Sequence, residues 1–416
     1  MQANPSAPSP HSTPQPLPGP PAIAGGQPAF DPQHPIAFGV PVIGEREVEA
    51  VVTCLQSRWI GAGARVLEFE RQFAAYRGVR AAVALNSCTS ALHLSLLALG
   101  IGSGDDVILP SMTFCATANA VIHAGAHPVL ADCDRNSFNL TAAEIERRMT
   151  PRTRAIIVVH MTGRPAPMPD IIQFARKRGL RVIEDCAHAI EAQVEGRAAG
   201  CWGDVGCFSF HATKTLTTGD GGMAISGDEQ LIHRIRCLSH HGLDRPAWQR
   251  NPGDAYCSIA AGFKANMTDL EAALGLVQLP ALEQRWQQRH ILWQHYNRLL
   301  AGLRLELPAP LPSGSDRHAL HLYTPLLCLE ALRADRDTIA RALAAENIRT
   351  GVHYRPLHLQ PYYRDRFGYQ PEDFPNARDI GDRTITLPLS AALTEDQVDR
   401  VAAAFRRILN YYSKPS

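Results

Sequence analysis

Three short stretches carry residues that could act together on one small organic ligand. In Ser209-Phe210-His211-Ala212-Thr213-Lys214, a lysine stands between an apolar run and the turn Thr217-Thr218-Gly219-Asp220-Gly221-Gly222. Partial burial at such a place lowers a lysine's pKa and favours the neutral amine, the nucleophile that condenses with a carbonyl. The glycines would let backbone approach a flat ligand closely. The same residue would suit an exposed loop, the commoner fate of lysine. A second stretch, Glu184-Asp185-Cys186-Ala187-His188, ends the apolar run RVI. Adjacent carboxylates at a strand end are costly unless one meets a cation. The protonated ring nitrogen of pyridoxal phosphate (PLP) would be such a cation, and a nearby arginine or lysine would serve Asp185 equally well. The third, Asn86-Ser87-Cys88-Thr89-Ser90, joins AAVAL to a helical pattern. Free N–H groups and the positive end of a helix hold phosphate there, although Ser87 or Thr89 could simply be an N-cap. Phosphate turn, carboxylate and lysine before glycines, in that order, are the set that a PLP site requires.

These groups meet only if the chain sets them along one edge of a sheet. AAVAL, DVILP, HPVLADC, RAIIVVH and RVIEDCA are short, continuously apolar runs, separated by the helical patterns SALHLSLLALG, CATANAVIHAG, LTAAEIERRM and MPDIIQFARKRG. Continuous apolar strands predict a sheet covered on both faces. Repeated strand–helix units predict an α/β chain with a mostly parallel, doubly wound sheet. Right-handed crossovers then bring the C-terminal strand ends to one ligand-binding edge. Two amphipathic helices, GEREVEAVVTCLQ and VLEFERQFAAYRG, precede this array, and DVGCFSFH and GGMAISG add two strands. A long helical stretch runs on from Thr268, bent or broken near Pro280. Residues 37–300 read as a large domain and 301–416 as a smaller α/β unit. The latter is expected to hold strands in HLYTPLLCL and TGVHY and helices in DTIARALAAENI and EDQVDRVAAAFRRIL. Residues 1–36, dominated by Pro, Ala, Ser, Gln and Gly, predict a disordered tail.

Composition narrows the classes. Lys and Arg number 41 against 40 Asp and Glu, and they are spread along the chain. That balance gives no electrostatic case for nucleic acid or an anionic membrane as partner. No run approaches the ~20 apolar residues of a membrane helix, and no signal peptide opens the chain, so a cytoplasmic location is expected. Ten cysteines without repeated spacing fit reduced, buried thiols. Cys201 and Cys207 lack a second pair of ligands, and His240-His241 lack clustered carboxylates, so no metal is expected. Gly61-Ala62-Gly63 follows a helical pattern rather than a strand, which argues against a dinucleotide fingerprint.

Taken in order, LNSCTSALHLSLLALGIGSGDDVILPSMTF, VIEDCAHAIEA, FSFHATKTLTTGDGGM, HHGLDR and GFKANMTDLEAALG resemble the DegT/StrS family of PLP-dependent sugar aminotransferases. The resemblance runs from Ile36 to the C-terminus. It implies the type I aminotransferase fold and a homodimer with shared active sites. Lys214 would carry the cofactor and move protons, Asp185 would pair with the pyridinium nitrogen, and His188 would contact the ring hydroxyl side. Phe114 would stack on the ring. Backbone at Cys88, with Thr89 and the Ser209 hydroxyl, would hold the phosphate, and Asn266 would reach the phosphate of the neighbouring subunit's cofactor. Relatives that act as sugar dehydratases carry histidine in place of the lysine, so Lys214 implies transamination.

Within the family, EDCAHAIEA, SFHATK and GVHYRPLHLQPYYRDRFG resemble enzymes that aminate UDP-4-keto-arabinose for lipid A modification. His353, Tyr354 and His358 would then help to line the sugar or nucleotide pocket. Ala265 replaces an aromatic found in many relatives, which implies more room near the phosphate. Glutamate is the implied donor and a nucleotide-linked 4-keto-sugar the implied acceptor. Another keto-hexose or a non-sugar ketone is the alternative on the same scaffold. A non-enzymatic sensor would have little use for an intact Lys214, Asp185 and Ser209.

Overall fold

The computed structural model describes residues 16–245, 253 and 255–415. After the two-residue strand β1 (Ile36–Ala37), the chain lays down β2 (Ala81–Leu85), β3 (Asp106–Pro110), β4 (His127–Ala131), β5 (Thr153–Val159) and β6 (Arg181–Asp185). A small hairpin, β7 (Gln193–Val194) and β8 (Arg197–Ala198), leads to β9 (Val205–Ser209) and β10 (Gly222–Ser226). The main sheet has the order β2-β10-β9-β6-β5-β3-β4, parallel throughout except where β10 pairs. Leu85 and Ser209 therefore both lie opposite Gly222, and Asp185 lies opposite Cys207. The three stretches singled out above converge on that edge.

Both faces of the sheet are covered, which is why its strands read as unbroken apolar runs. Helices α1 (Glu45–Gln56) and α2 (Ala64–Arg77) precede it; α3 (Cys88–Ala98), α4 (Cys115–His123), α5 (Ala142–Arg147) and α6 (Met168–Arg178) alternate with its strands. Val107, Leu109 and Ile157 pack with α3 and α4, while Ile108, Ile156 and Val158 pack with α5 and α6 on the other side. The alternation is that of a pleated strand with two dry faces. Helix α7 (Glu229–Ser239) follows β10 and is started by Asp228, whose carboxylate accepts the N–H groups of Gln230 and Leu231.

Thr268 and Glu271 form a capping box at the head of α8 (Asp269–Gln278). The expected break falls at Pro280, where a single 3-10 turn separates α8 from α9 (Leu282–Leu300). The second half of α9 packs with α10 (Arg336–Ala345) and α13 (Glu395–Tyr411) in a second core built on Trp293, Tyr296, Tyr323 and Phe405. The cores do not divide at residue 300. Leu292 to Leu300 belong to the second, while Tyr363 of α11 (Pro361–Phe367) and Ala377 and Ile380 of α12 (Pro375–Arg383) return to the first. Strands here are only two residues long: β11 (Leu305–Glu306), β12 (Leu326–Leu327) and β13 (Ile348–Arg349). TGVHY, expected as a strand, contributes only the isolated bridge Gly351–Thr386.

The expected tail needs correction. Residues 1–15 lie outside the described residues, but 16–36 pack on the second core. Ala29 and Phe30 are buried there, and β1 runs parallel to β13. The fully buried carboxylate of Glu346 accepts the N–H groups of Ala22 at 3.0 Å and Ala29 at 2.9 Å and pairs with Arg407 at 2.6 Å. Composition hid this because charge-assisted hydrogen bonds, rather than apolar area alone, fix the segment. No helix among the described residues is long and apolar enough to cross a membrane.

Candidate active site

The two carboxylates at the end of β6 have separate fates. Glu184, fully buried, accepts N–H groups from Gly200 (2.8 Å), Trp202 (2.7 Å) and Gly203 (2.8 Å) and lies 3.0 Å from Nε2 of His160. His160 Nδ1 already accepts the N–H of Ala166 at 3.1 Å, so Nε2 carries the proton and donates to Glu184. Burial would raise the pKa of Glu184, but the bonds from His160 and the backbone outweigh it and hold the carboxyl below its ordinary value. With Cys186 these side chains come close enough to share a metal ion. Their oxygens and nitrogens are committed to one another and to backbone, so the group is a brace.

Asp185 is different. Its Oδ2 accepts the hydroxyl of Thr117 at 2.9 Å and its Oδ1 the N–H of Ala187 at 3.1 Å. Burial raises its pKa, and these two bonds and the charge of Lys214 offset that only in part. Among the described residues no cation touches it. A buried carboxylate with no charged partner of its own, lining a cavity, suits a protonated ring nitrogen.

Lys214 lines the same cavity of about 470 Å³. Among the described residues its amine has no hydrogen bond or ion pair. Burial pushes its pKa down to about 8, against the opposing pull of Cys88 and Asp185. Thus a fraction of the amine is neutral near physiological pH, far more than for an ordinary lysine, as a Schiff-base lysine requires. Across the cavity, Ser87 is the N-cap of α3 and accepts the N–H of Ser90 at 3.1 Å. The N–H groups of Cys88 and Thr89 have no partner among the described residues, which leaves the helix end open to an anion. Buried Ser209 completes that corner. Gly221 of the expected turn lines the cavity, and Gly222 makes a second close approach. A Cβ on Gly222 would lie 2.3 Å from the carbonyl carbon of Ser87, so glycine lets β10 pack against the helix turn itself.

The far wall holds His188, His353 and Tyr354. His188 Nε2 lies 3.0 Å from the Tyr354 hydroxyl, and its buried Nδ1 has no partner. Burial and the positive charge of Lys214 push the His188 pKa well below 6.5, so the ring is neutral. His353 is held through Nδ1 by Thr386 at 2.7 Å. Phe114 stands at the rim, 5.7 Å from Tyr354.

One expectation changes. His358 is a core residue: its Nδ1 bonds the Ser111 hydroxyl at 2.7 Å, its ring packs on Phe374, and it does not line the cavity. Ala265 is buried in the main core beside the α3 turn, where its carbonyl accepts the N–H of Asn86 at 2.8 Å. Asn266 bridges to Leu85, is bonded by Lys264, and lies off this chain's own cavity, which leaves its expected role toward a neighbouring subunit as it was. Conversely, the sequence reading missed Thr117, His321 and Phe38, all cavity-lining. A polar threonine in the small-residue helix CATANAV was the only hint of the first.

PLP fits what is present: an unpaired buried carboxylate for its nitrogen, an open helix end for its phosphate, and a partly neutral lysine for its aldehyde. The description "DegT/DnrJ/EryC1/StrS aminotransferase family" matches residues 41–406. The chain belongs to that family. This aminotransferase is 42% identical over 380 residues to the spore coat polysaccharide biosynthesis protein SpsC of Bacillus subtilis, covering 90% of this chain and 97% of SpsC. Its fold is similar to that of Spr1654 of Streptococcus pneumoniae in its PLP form, with a TM-score of 0.85, 31% identity, and 91% and 99% of the two chains covered. It is also similar to DesI, solved in the presence of its TDP-sugar product, with a TM-score of 0.81, 32% identity, and 92% and 95% covered. The enzyme is a PLP-dependent aminotransferase.

Proposed function

We propose that this aminotransferase moves an amino group from glutamate to a nucleotide-linked 4-keto-sugar, a UDP-linked keto-pentose being the favoured acceptor, for a cell-envelope or lipid A glycan. The observation that carries the reading is the meeting of Lys214, Asp185 and the open end of α3 in one cavity. Cofactor bound there supplies the electron sink for the carbon that gains or loses the proton. Asp185, steadied by Thr117, keeps a proton on the ring nitrogen. The Cys88 and Thr89 amides and the Ser209 hydroxyl hold the phosphate, and Phe114 covers the ring face. In the donor half, Lys214 Nζ takes the proton from the glutamate α-carbon. In the acceptor half it gives a proton to the former carbonyl carbon of the sugar. His188, fixed by Tyr354, stays neutral and serves as a hydrogen-bond partner on the ring hydroxyl side.

DesI, with its TDP-sugar product, supports a nucleotide-linked acceptor. SpsC, named for spore coat polysaccharide, favours a second reading in which the product enters a surface polysaccharide as an amino-hexose. A homodimer with shared sites is part of the proposal. Val48, Val52 and Leu55 of α1 face solvent at helical spacing, with Trp59 and Ile60 beside them, while the polar Glu47 turns inward to Arg285 and Gln278. A second copy would cover that stripe and bring Asn266 to the neighbouring phosphate. Ten free thiols support a cytoplasmic site of action. The test is turnover with glutamate on a panel of UDP- and TDP-linked keto-pentoses and keto-hexoses. Fastest turnover of the UDP-keto-pentose supports the first reading, preference for a keto-hexose selects the second, and no turnover on any of them refutes both.

A further inference from the structure

The main sheet carries a second cavity at its other edge, where β6 and β9 begin rather than end. Its volume is about 570 Å³, and no residue lines both it and the cavity around Lys214. Arg77 ends α2 and Arg80 precedes β2; Arg181 opens β6, Arg197 stands in β8 and Arg234 in α7. We infer that this cavity is a second ligand site, for a small molecule that carries two or more phosphate groups. It is separate from the active site and does not depend on which sugar is aminated there.

Charge points to the ligand. Five guanidiniums line the cavity against two carboxylates, those of Asp204 and Asp228. Among the described residues only Arg181 of the five pairs with a carboxylate, Asp204 at 2.9 Å. Both carboxylates are also held by backbone, Asp204 by the N–H of Val182 at 2.8 Å and Asp228 by those of Gln230 and Leu231. Arg77 donates to the carbonyls of Ile190 and Ala199, Arg234 to that of Ala98 and Arg197 to that of Cys201. A carbonyl fixes a guanidinium without cancelling its charge. Arg80 is exposed and has no hydrogen bond or ion pair among the described residues. Like charges gathered in a recess repel one another until an anion sits among them.

Burial gives a second, independent sign. Arg77 is only 6% exposed, and its Nε is buried without a hydrogen-bond partner. A buried charged donor left unpaired is costly, and a ligand oxygen would supply the acceptor. The same guanidinium is held in advance by its two carbonyls and by the Phe208 ring, 5.2 Å away, so little ordering remains for binding to impose.

Phosphate oxygens accept the two prongs of a guanidinium together. One phosphate would leave most of the volume and most of the arginines unused, which is why the ligand carries at least two. Nucleic acid is the poorer match, since these arginines line a recess rather than a stripe and charge along the chain is balanced.

The experiment is calorimetric titration of pyrophosphate, tripolyphosphate, ATP and citrate into PLP-loaded protein, so that the open end of α3 is already filled. Wild type is compared with Arg80→Glu, Arg80→Lys and Arg197→Glu, and with Arg355→Ala as a control at the active-site edge. Tripolyphosphate should bind wild type once per chain and more tightly than citrate. Arg80→Glu and Arg197→Glu should each weaken it by about 10-fold or more, Arg80→Lys by less, and Arg355→Ala not at all. Arg80 holds no other residue, so Arg80→Glu without ligand should melt no lower than wild type. Tripolyphosphate should raise the melting temperature of wild type and not of Arg80→Glu. ATP binding more tightly than tripolyphosphate identifies the ligand as a nucleotide, and equal or weaker binding as a bare oligophosphate. No binding to wild type, equal binding to wild type and both charge reversals, loss in Arg355→Ala alone, or citrate as tight as tripolyphosphate overturns the inference.

Discussion

Thr117 donates its hydroxyl to Asp185 at 2.9 Å and stands 2.8 Å from the hydroxyl of Thr113 behind it. This short chain ties the first turn of α4 to the end of β6 and fixes the one buried carboxylate that the cofactor must meet.

Thr117→Val keeps the shape and removes that bond. Asp185, already raised by burial, should rise further and hold a pyridinium less firmly. A loss of about 10-fold in kcat/KM and weaker PLP binding are expected, with little change in melting temperature of the PLP-loaded protein. Steady-state kinetics and a PLP titration check this. Unchanged values for both would remove Thr117 from the cofactor's support.

Lys214 should leave a mark on the stability of the cofactor-free protein. Its pKa is about 8 when folded and 10.5 in the ordinary state. Between those values the unfolded chain keeps a proton that the folded one has lost, so stability rises with pH through this window. Below pH 8 the buried ammonium is a full burden. Lys214→Met should therefore melt higher than cofactor-free wild type at pH 7, and the gap should shrink from pH 8 toward 10.5. Calorimetric melting curves across that range decide it.

His358 separates core from site. His358→Ala leaves Ser111 without its buried partner and is expected to cost about 2 kcal/mol of stability. The glutamate half-reaction of the folded fraction should proceed as in wild type. Loss of that half-reaction at unchanged stability would return His358 to the site.

The exposed face of α1 gives the next prediction. Val48→Asp combined with Val52→Asp should turn a dimer into a monomer in sedimentation and weaken cofactor retention, since Asn266 of a second copy would be withdrawn. A wild type that sediments as a monomer contradicts the shared-site proposal directly.

Sequence alone made the sheet and three of its corners legible. Apolar strands between amphipathic helices are a direct consequence of a two-faced sheet, and Lys214, Asp185 and the α3 turn stood at strand ends where ligands bind. Contacts across long sequence separation were not legible. The partnership of Glu184 with His160, 24 residues away, and of Thr117 with Asp185, 68 away, depends on strand order. His358 looked like its neighbours His353 and Tyr354, and only packing against Ser111 and Phe374 sets it apart. The N-terminal segment misled because Glu346, far along the chain, gathers its backbone donors.

The most direct test of the account is the visible spectrum of the protein with PLP, before and after glutamate, with Lys214→Ala alongside. A lysine-dependent band in wild type that glutamate bleaches, and its absence from the variant, is the predicted result. A wild type that takes up no PLP, or a variant that shows the same lysine-type band, would contradict the assignment of Lys214 and of the cavity built around it.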